Sequence, residues 1–359
     1  MVTGYPSIRV DPRSGDDTPP DSAAIPLAPR SRYGQVTMRR YVVTGGAGFI
    51  GFHASRALLA EGHAVRIIDD LSDAPYPRAE KERNLADLRR EFGDIEHLEA
   101  CVTDRHGIAP FFAGADRVIH LAGLAGVRPS FRDPARYARV NVEGTATVLE
   151  LAIEAGIGRV AIASSSSVYG NSTPLPARED APAIVPESPY AASKRSAELV
   201  ARAIALRAPG LACAALRFFT VYGPRQRPEL AITLFTRAVL AGRSITVFGD
   251  GSMRRDFTHV SDITRGIFAA LEGCPAGVRP YNLGSSHPVD LKELVQAIGQ
   301  ASGRQPVVEQ ADVPRGDVDA TYADIERARS ELGWSPSVVL PEGLKSVVEW
   351  VQGDGASGR

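Results

Sequence analysis

Short apolar runs alternate with stretches of helical spacing over the first two-thirds of the chain. Tyr41-Val42-Val43 stops at a pair of glycines, Phe49 to Ala60 places apolar residues at helical intervals, and Ala64 to Ile68 reads again as a buried strand. The alternation recurs at Arg117–Leu121, Val160–Ala163 and Leu211–Phe218, with helical stretches between. Strands covered on both faces read as near-continuous apolar runs, and intervening helices imply a parallel sheet with helices on both sides. The predicted fold is therefore α/β and doubly wound. Beyond residue 223 the elements shorten and Gly and Pro become frequent. Residues 224–352 are expected to form mainly a smaller, interleaved α/β lobe, some segments returning to the first domain at 38–223. Residues 1–37 are rich in Pro, Ser, Asp and Gly without apolar periodicity, so they are expected to be disordered. The same holds for 353–359. No internal repeat is present.

Composition narrows the function classes. With 359 residues, 44% of them hydrophobic, the chain is long enough for two domains and a large core. Lys and Arg total 41 against 42 Asp and Glu, so no global basic field points to nucleic acid or an anionic membrane. No apolar run reaches the ~18 residues of a membrane span, and residues 1–37 lack the apolar segment of a secretory signal. The three cysteines, Cys101, Cys213 and Cys274, are far apart and odd in number, which fits a reducing, cytoplasmic setting. The seven histidines show no ligand spacing, and no metal is expected. His120 and His259 read as packed structural residues, as do Tyr322 and Trp334.

The segment Thr44 to Gly51 (TGGAGFIG) lies between the first strand and the first helix, with glycines at 45, 48 and 51. A tight turn, close approach of a pyrophosphate to the backbone and close helix–strand packing all require small residues there. The helix N-terminus, opened by Phe49 and Ile50, then faces the phosphates. Asp69 stands 18 residues beyond Gly51 at the end of the second strand. A carboxylate there accepts from ribose hydroxyls and repels a 2′-phosphate, which favours NAD. The expected architecture is thus a Rossmann-type sheet. A second constellation follows. Tyr190 and Lys194 are four apart, on one helical face, and Ser165 ends an upstream strand, where open α/β sheets form their ligand crevice. An ammonium about 4 Å from a phenol, at an effective dielectric near 20, is worth about 4 kcal/mol. That is enough to bring a group of pKa about 10 towards neutrality, so Tyr190 is the candidate base. The chain has four lysines against 37 arginines, so Lys194 stands out, whereas Lys81 to Arg90 reads as a solvated helix face.

Together with HLAG (120–123), SSSSVYG (164–170), YAASK (190–194) and RRDFTHVSD (254–262), these segments resemble the extended short-chain dehydrogenase/reductase family, from about residue 39 to 351. The resemblance implies NAD in a Rossmann domain, a nucleotide-sugar in the smaller lobe, and a homodimer through the helices near Ala146–Ala155 and Ala197–Leu206. It implies Tyr190 as base, Lys194 on the nicotinamide ribose, and Ser165 on the sugar 4-hydroxyl. Further cofactor contacts are implied at Gly45, Gly48, Phe49, Ile50, Gly51, Asp69, Val102, Leu121, Ala122, Gly123, Asn141 and Phe218. One position departs: the family's Asp-hydrophobic pair at the adenine is here Cys101-Val102, which predicts a more exchangeable NAD.

The residues after the active-site strand select the reaction. Dehydratases of the family carry Asp-Glu where this chain has Ser166-Ser167, and UDP-xylose-forming decarboxylases carry Glu at the second position. Serine titrates nowhere near neutrality, so elimination lacks its acid and base, and 4-epimerisation remains. Arg217 to Pro228 (RFFTVYGPRQRP), Pro314 to Asp324, and Gly126-Val127-Arg128 are similar to the branch acting on UDP-glucuronate. That resemblance implies Ser166, Ser167 and Thr220 at the C6 carboxylate, Arg227 and Arg128 at the sugar or its phosphates, Arg255 and Arg315 at the diphosphate, and Val247, Phe248 and Phe257 near uracil. A UDP-glucose or UDP-N-acetylglucosamine 4-epimerase, a UDP-glucuronate decarboxylase, and an NAD-binding regulatory protein remain open alternatives.

Overall fold

The computed structural model describes residues 37–73, 76–311 and 320–356. The expectation of disorder for 1–36 and 357–359, and the diphosphate role expected of Arg315, lie outside the described residues. The elements run β1 (Arg40–Thr44), α1 (Phe49–Ala60), β2 (Ala64–Asp69), α2 (Arg78–Phe92), β3 (Glu96–Glu99), α3 (Arg105–Ile108), β4 (Arg117–His120), α4 (Val127–Ser130) and α5 (Pro134–Ala138). A π-helical turn (Arg139–Glu143) leads into α6 (Gly144–Glu154), followed by β5 (Arg159–Ser165), α7 (Pro189–Ala205), β6 (Ala212–Phe218) and β7 (Thr220–Tyr222). Then come α8 (Ala231–Leu240), β8 (Ile245–Phe248), β9 (Arg254–His259), α9 (Val260–Gly273), β10 (Gly277–Leu283), β11 (Pro288–Asp290), α10 (Leu291–Ser302), β12 (Val308–Ala311), α11 (Glu326–Leu332) and α12 (Leu340–Ala356).

Seven strands form one parallel sheet in the order β10-β6-β5-β4-β1-β2-β3. β1 pairs with both β2 and β4, so the chain reverses its direction of winding there and opens a crevice at the strand ends. Side chains alternate across the pleat. Val43 and Ile67 pack with Phe52 of α1, Ile267 of α9 and Trp334 on one face, while Val42 and Ile68 pack with Val148 and Leu149 of α6 on the other. A third core joins α8, α10 and α12 through Phe235, Leu294, Ile298, Leu344 and Val347.

Two small sheets complete the C-terminal half, β11-β9-β7 and β12-β8. The chain does not stay there: α9 and β10 return to the large sheet. One boundary differs from expectation. Residues 353–356, assigned to a disordered tail, continue α12, whose buried Leu344, Val347, Val348 and Val351 dock it on α8 and α10 and carry the helix to its last turn. Among the described residues no helix is long and apolar enough to cross a membrane, and all three cysteines are free thiols.

Candidate active site

A cleft of about 230 Å3 opens at the carboxyl ends of β1 and β4. It is lined by Gly45, Gly48, Phe49, Ile50, Gly51, Asp69, Val102, Leu121, Ala122, Gly123, Tyr190, Lys194 and Phe218, so residues from the first strand to the sixth converge on it. Asn141 lies one layer behind. Its Oδ1 accepts from the Leu124 amide (2.8 Å), and its Nδ2 donates to the Leu124 carbonyl (3.0 Å) and to Ser193 Oγ (2.9 Å). Asn141 therefore fixes the turn after β4 against α7. The glycine loop is tight for a steric reason. Gly45 has φ +69°, and a Cβ there would lie 2.6 Å from the Ala122 amide nitrogen. A Cβ on Gly51 would collide with the Gly45 carbonyl oxygen.

At the adenosine end, Asp69 Oδ1 accepts from Lys81 Nζ (3.0 Å) and the Leu71 amide (3.0 Å), and Oδ2 from the Ala47 amide (3.2 Å). A carboxylate offers about four acceptor sites, which leaves room for a ribose hydroxyl. Lys81 also stands 3.6 Å from Asp70, so two carboxylates face one ammonium and the negative balance against a 2′-phosphate persists. Lys81 corrects the reading of α2 as a solvated face. Lys81, Asn84, Leu85 and Leu88 are buried at helical spacing, and Asn84 Nδ2 donates to the Ala47 carbonyl of the glycine loop (2.8 Å). Cys101 also lines the cleft, its sulfur accepting from Thr103 Oγ1 at 3.2 Å.

At the other end, Ser188 caps α7 by accepting from the Ala191 amide (3.1 Å), with Pro189 next. Tyr190 thus stands in the first turn of a 17-residue helix, where the macrodipole favours a phenolate. Burial pushes the Tyr190 phenol up, while the hydrogen bond from Ser165 and the positive charge of Arg227 pull it down; the first effect wins. Burial pushes Lys194 down to about 8, and its Nζ donates to the Ala163 carbonyl (2.9 Å). The cation acting on the phenol is Arg227, which lines the cleft. Tyr137, not anticipated from sequence, packs edge-on against the Tyr190 ring (6.2 Å) and donates to the Ala125 carbonyl (2.8 Å).

The β5–β6 register pairs Ser165 with Phe218, so Ser166, Ser167 and Thr220 leave the sheet at the same end of neighbouring strands. Ser165 Oγ accepts from the Ser167 amide and donates to Ser167 Oγ, both at 3.2 Å. Arg255 is half-buried on β9, and Arg128 is exposed on the short α4. Val247 and Phe257 are buried in the C-terminal core, Phe257 edge-on to Tyr222. Phe248 ends β8, paired with Ala311. His120 and His259 are structural, as expected. His120 bridges Thr44 Oγ1 (2.7 Å) and Thr145 Oγ1 (3.1 Å) and is pushed down to about 3 by burial. His259 meets Ser261 (2.7 Å) and Ser346 (3.2 Å), and burial pushes it down to about 4. Trp334 is buried, as expected, and donates to the Asp262 carbonyl (3.0 Å).

A family model described as the NAD dependent epimerase/dehydratase family matches residues 41–284. The chain belongs to that family. It is 37% identical over 316 residues to a UDP-glucuronate 4-epimerase from Thermodesulfobacterium geofontis, covering 87% of this chain and 96% of that protein. The structure of MoeE5 in complex with UDP-glucuronic acid and NAD matches at TM-score 0.77 with 35% identity, over 88% of this chain and 99% of that one. The UDP-glucuronic acid 4-epimerase from Bacillus cereus, in complex with UDP-glucuronic acid and NAD, matches at TM-score 0.80 with 30% identity, over 88% and 99%. The epimerase family's NAD fits the residues present. The glycine loop leaves no room for side chains where a pyrophosphate approaches, and Asp69 keeps acceptor capacity at the ribose end.

Proposed function

We propose that the chain converts UDP-glucuronate to UDP-galacturonate by 4-epimerisation. The observation that carries this reading is the Ser166-Ser167 pair, which follows Ser165 directly after β5 and has hydroxyls at the two positions where the family's dehydratases have a titratable acid and base. Bound NAD supplies reversible hydride acceptance at the sugar C4. Tyr190 takes the proton of the C4 hydroxyl and returns it after the 4-keto sugar has turned over. Ser165 orients that hydroxyl, and Lys194 and Asn141 hold the floor of the cleft. Arg227 faces the sugar beside Tyr190, and Arg255, with Arg315 and Arg128, neutralises the diphosphate.

The 4-keto glucuronate is a β-keto acid that sheds CO2 when its carboxylate aligns with the ketone. Ser167 and Thr220 hydroxyls hold the carboxylate out of that alignment. Thr220→Ala and Ser167→Ala therefore raise the UDP-pentose fraction of the product several-fold, read by chromatography; unchanged ratios would contradict the clamp. With Cys101 in place of a carboxylate at the adenine end, NAD exchanges readily. Cys101→Asp is expected to retain NAD through gel filtration better than the unmodified chain, and equal retention would remove that role.

The same reading takes 38–223 as the NAD-binding domain, 224–352 as mainly the nucleotide-sugar lobe, and the cytoplasm as the working compartment. It also takes the chain as a homodimer through α6 and α7, where Leu199 and Leu206 are 51% and 81% exposed. Light scattering then reads twice 38.3 kDa, and a monomer at micromolar concentration would contradict it.

A further inference from the structure

Three consecutive side chains after β7 reach in three directions. Arg227 faces the cleft with Tyr190. Gln226 is buried and turned to the C-terminal lobe: its Nε2 donates to the Val221 carbonyl (2.7 Å), and its Oε1 accepts from Thr233 Oγ1 of α8 (2.9 Å). Arg225 is turned to the dinucleotide half. Its guanidinium donates to Asn84 Oδ1 (2.6 Å) and Asp87 Oδ2 (2.5 Å) on α2 and lies 4.0 Å from the centre of the Phe52 ring on α1.

The backbone of this segment is tied to the same half. The Pro224 carbonyl meets His53 Nε2 (2.9 Å) on α1, and the Arg225 carbonyl accepts from Tyr76 Oη (3.0 Å). Arg225 has φ +68°, a conformation uncommon for a residue with a Cβ and one that persists where surrounding contacts impose it. Asn84 closes the circuit by donating to the Ala47 carbonyl, and the Ala47 amide donates to Asp69. A hydrogen-bonded line thus runs from the glycine loop through Asn84 to Arg225, two residues from the side chain that faces the sugar.

We propose that Arg225 is a positioning residue that couples occupancy of the dinucleotide cleft to the placement of Arg227, and hence to affinity for the nucleotide-sugar. This inference rests on the reading of Arg227 as a nucleotide-sugar contact. When the glycine loop and Asp69 close on a dinucleotide, Ala47 and Asn84 settle with them, and Arg225 carries that order to Arg227. Coupling of this kind is reciprocal: the nucleotide-sugar tightens the dinucleotide by the same factor.

The test measures NADH affinity of the full chain by NADH fluorescence, with and without saturating UDP-glucuronate. NADH offers no hydride acceptor, so binding is read without turnover. UDP-glucose is run in parallel. In the unmodified chain the sugar nucleotide tightens NADH by about 5-fold or more. In Arg225→Lys, which keeps the charge and loses the fork, and in Asp87→Asn, which loosens the far end of the tie, the factor falls towards one. Asp87→Asn keeps the test alive if the first variant fails to fold. The inference is overturned if both folded variants keep the full factor, or if the unmodified chain shows none. Coupling with UDP-glucose but no binding of UDP-glucuronate would sink the glucuronate reading and leave the tie standing.

Discussion

Replacing Tyr190 by phenylalanine lowers kcat by about 10²–10⁴-fold, the usual worth of a positioned general base, while the chain still binds NAD and the nucleotide-sugar. The ring contact with Tyr137 survives the change, so the loss reports the phenolic oxygen rather than the packing. The nearby candidates do not replace it. His120 is buried, neutral and engaged by two threonines, and Lys194 is held by the Ala163 carbonyl. The pH profile follows from the direction of the shift. Tyr190 sits above its ordinary value because burial outweighs Ser165 and Arg227. Its active form is the deprotonated one, so kcat is still climbing with pH in the alkaline range, towards a value above that of a free phenol, and Arg227→Gln moves that climb to higher pH. A Tyr190→Phe variant within a few-fold of the original kcat would remove Tyr190 from the mechanism.

Glu198→Ala is expected to cost about 3–5 kcal/mol of stability, the range for breaking a buried pair by removing one partner. That is a large share of a typical 5–15 kcal/mol. Glu198 on α7 is 5% exposed and Arg217 on β6 is 1% exposed. The guanidinium donates to both carboxylate oxygens (2.9 and 2.8 Å), Ser164 Oγ donates to one (2.6 Å) and Arg195 to the other (2.8 Å). Without the carboxylate the buried guanidinium is left to the Glu179 carbonyl (3.4 Å) and the face of the Tyr169 ring (4.8 Å), a poorer match for its charge. Burial alone would raise Glu198, but the Arg217 hydrogen bonds and charge prevail and hold it below the ordinary carboxylate value. Its contribution is therefore present above the unfolded carboxylate pKa and is lost as pH falls through the folded one. Urea unfolding at neutral and acid pH reads both effects. A loss under about 1 kcal/mol at neutral pH would place this pair with weak surface bridges.

Much of the fold is legible in the chain. The helix expected over Phe49–Ala60 is α1, and the apolar run ending at Phe218 is β6, buried at all seven positions. What escapes has a physical reason. β3 reads EHLE because it is an edge strand, exposed at its two glutamates. The inward face of α2 hides in a charge-rich sequence, yet its signal is present: Leu85 and Leu88 mark the buried stripe, and Lys81 and Asn84 fall on it. The glycine loop, Asp69, Ser165, Tyr190 and Lys194 were legible because dinucleotide binding and proton transfer impose spacing on neighbouring residues. The partner of Lys194 was not, since it is a backbone carbonyl from another strand, and no residue type announces that.

The most direct measurement is incubation with UDP-glucuronate and NAD, followed by proton NMR of the anomeric region. The expected result is UDP-galacturonate rising to an equilibrium mixture without UDP-pentose. No conversion of UDP-glucuronate, with turnover of UDP-glucose or UDP-N-acetylglucosamine instead, would contradict the roles given to Ser166, Ser167, Thr220 and Arg227.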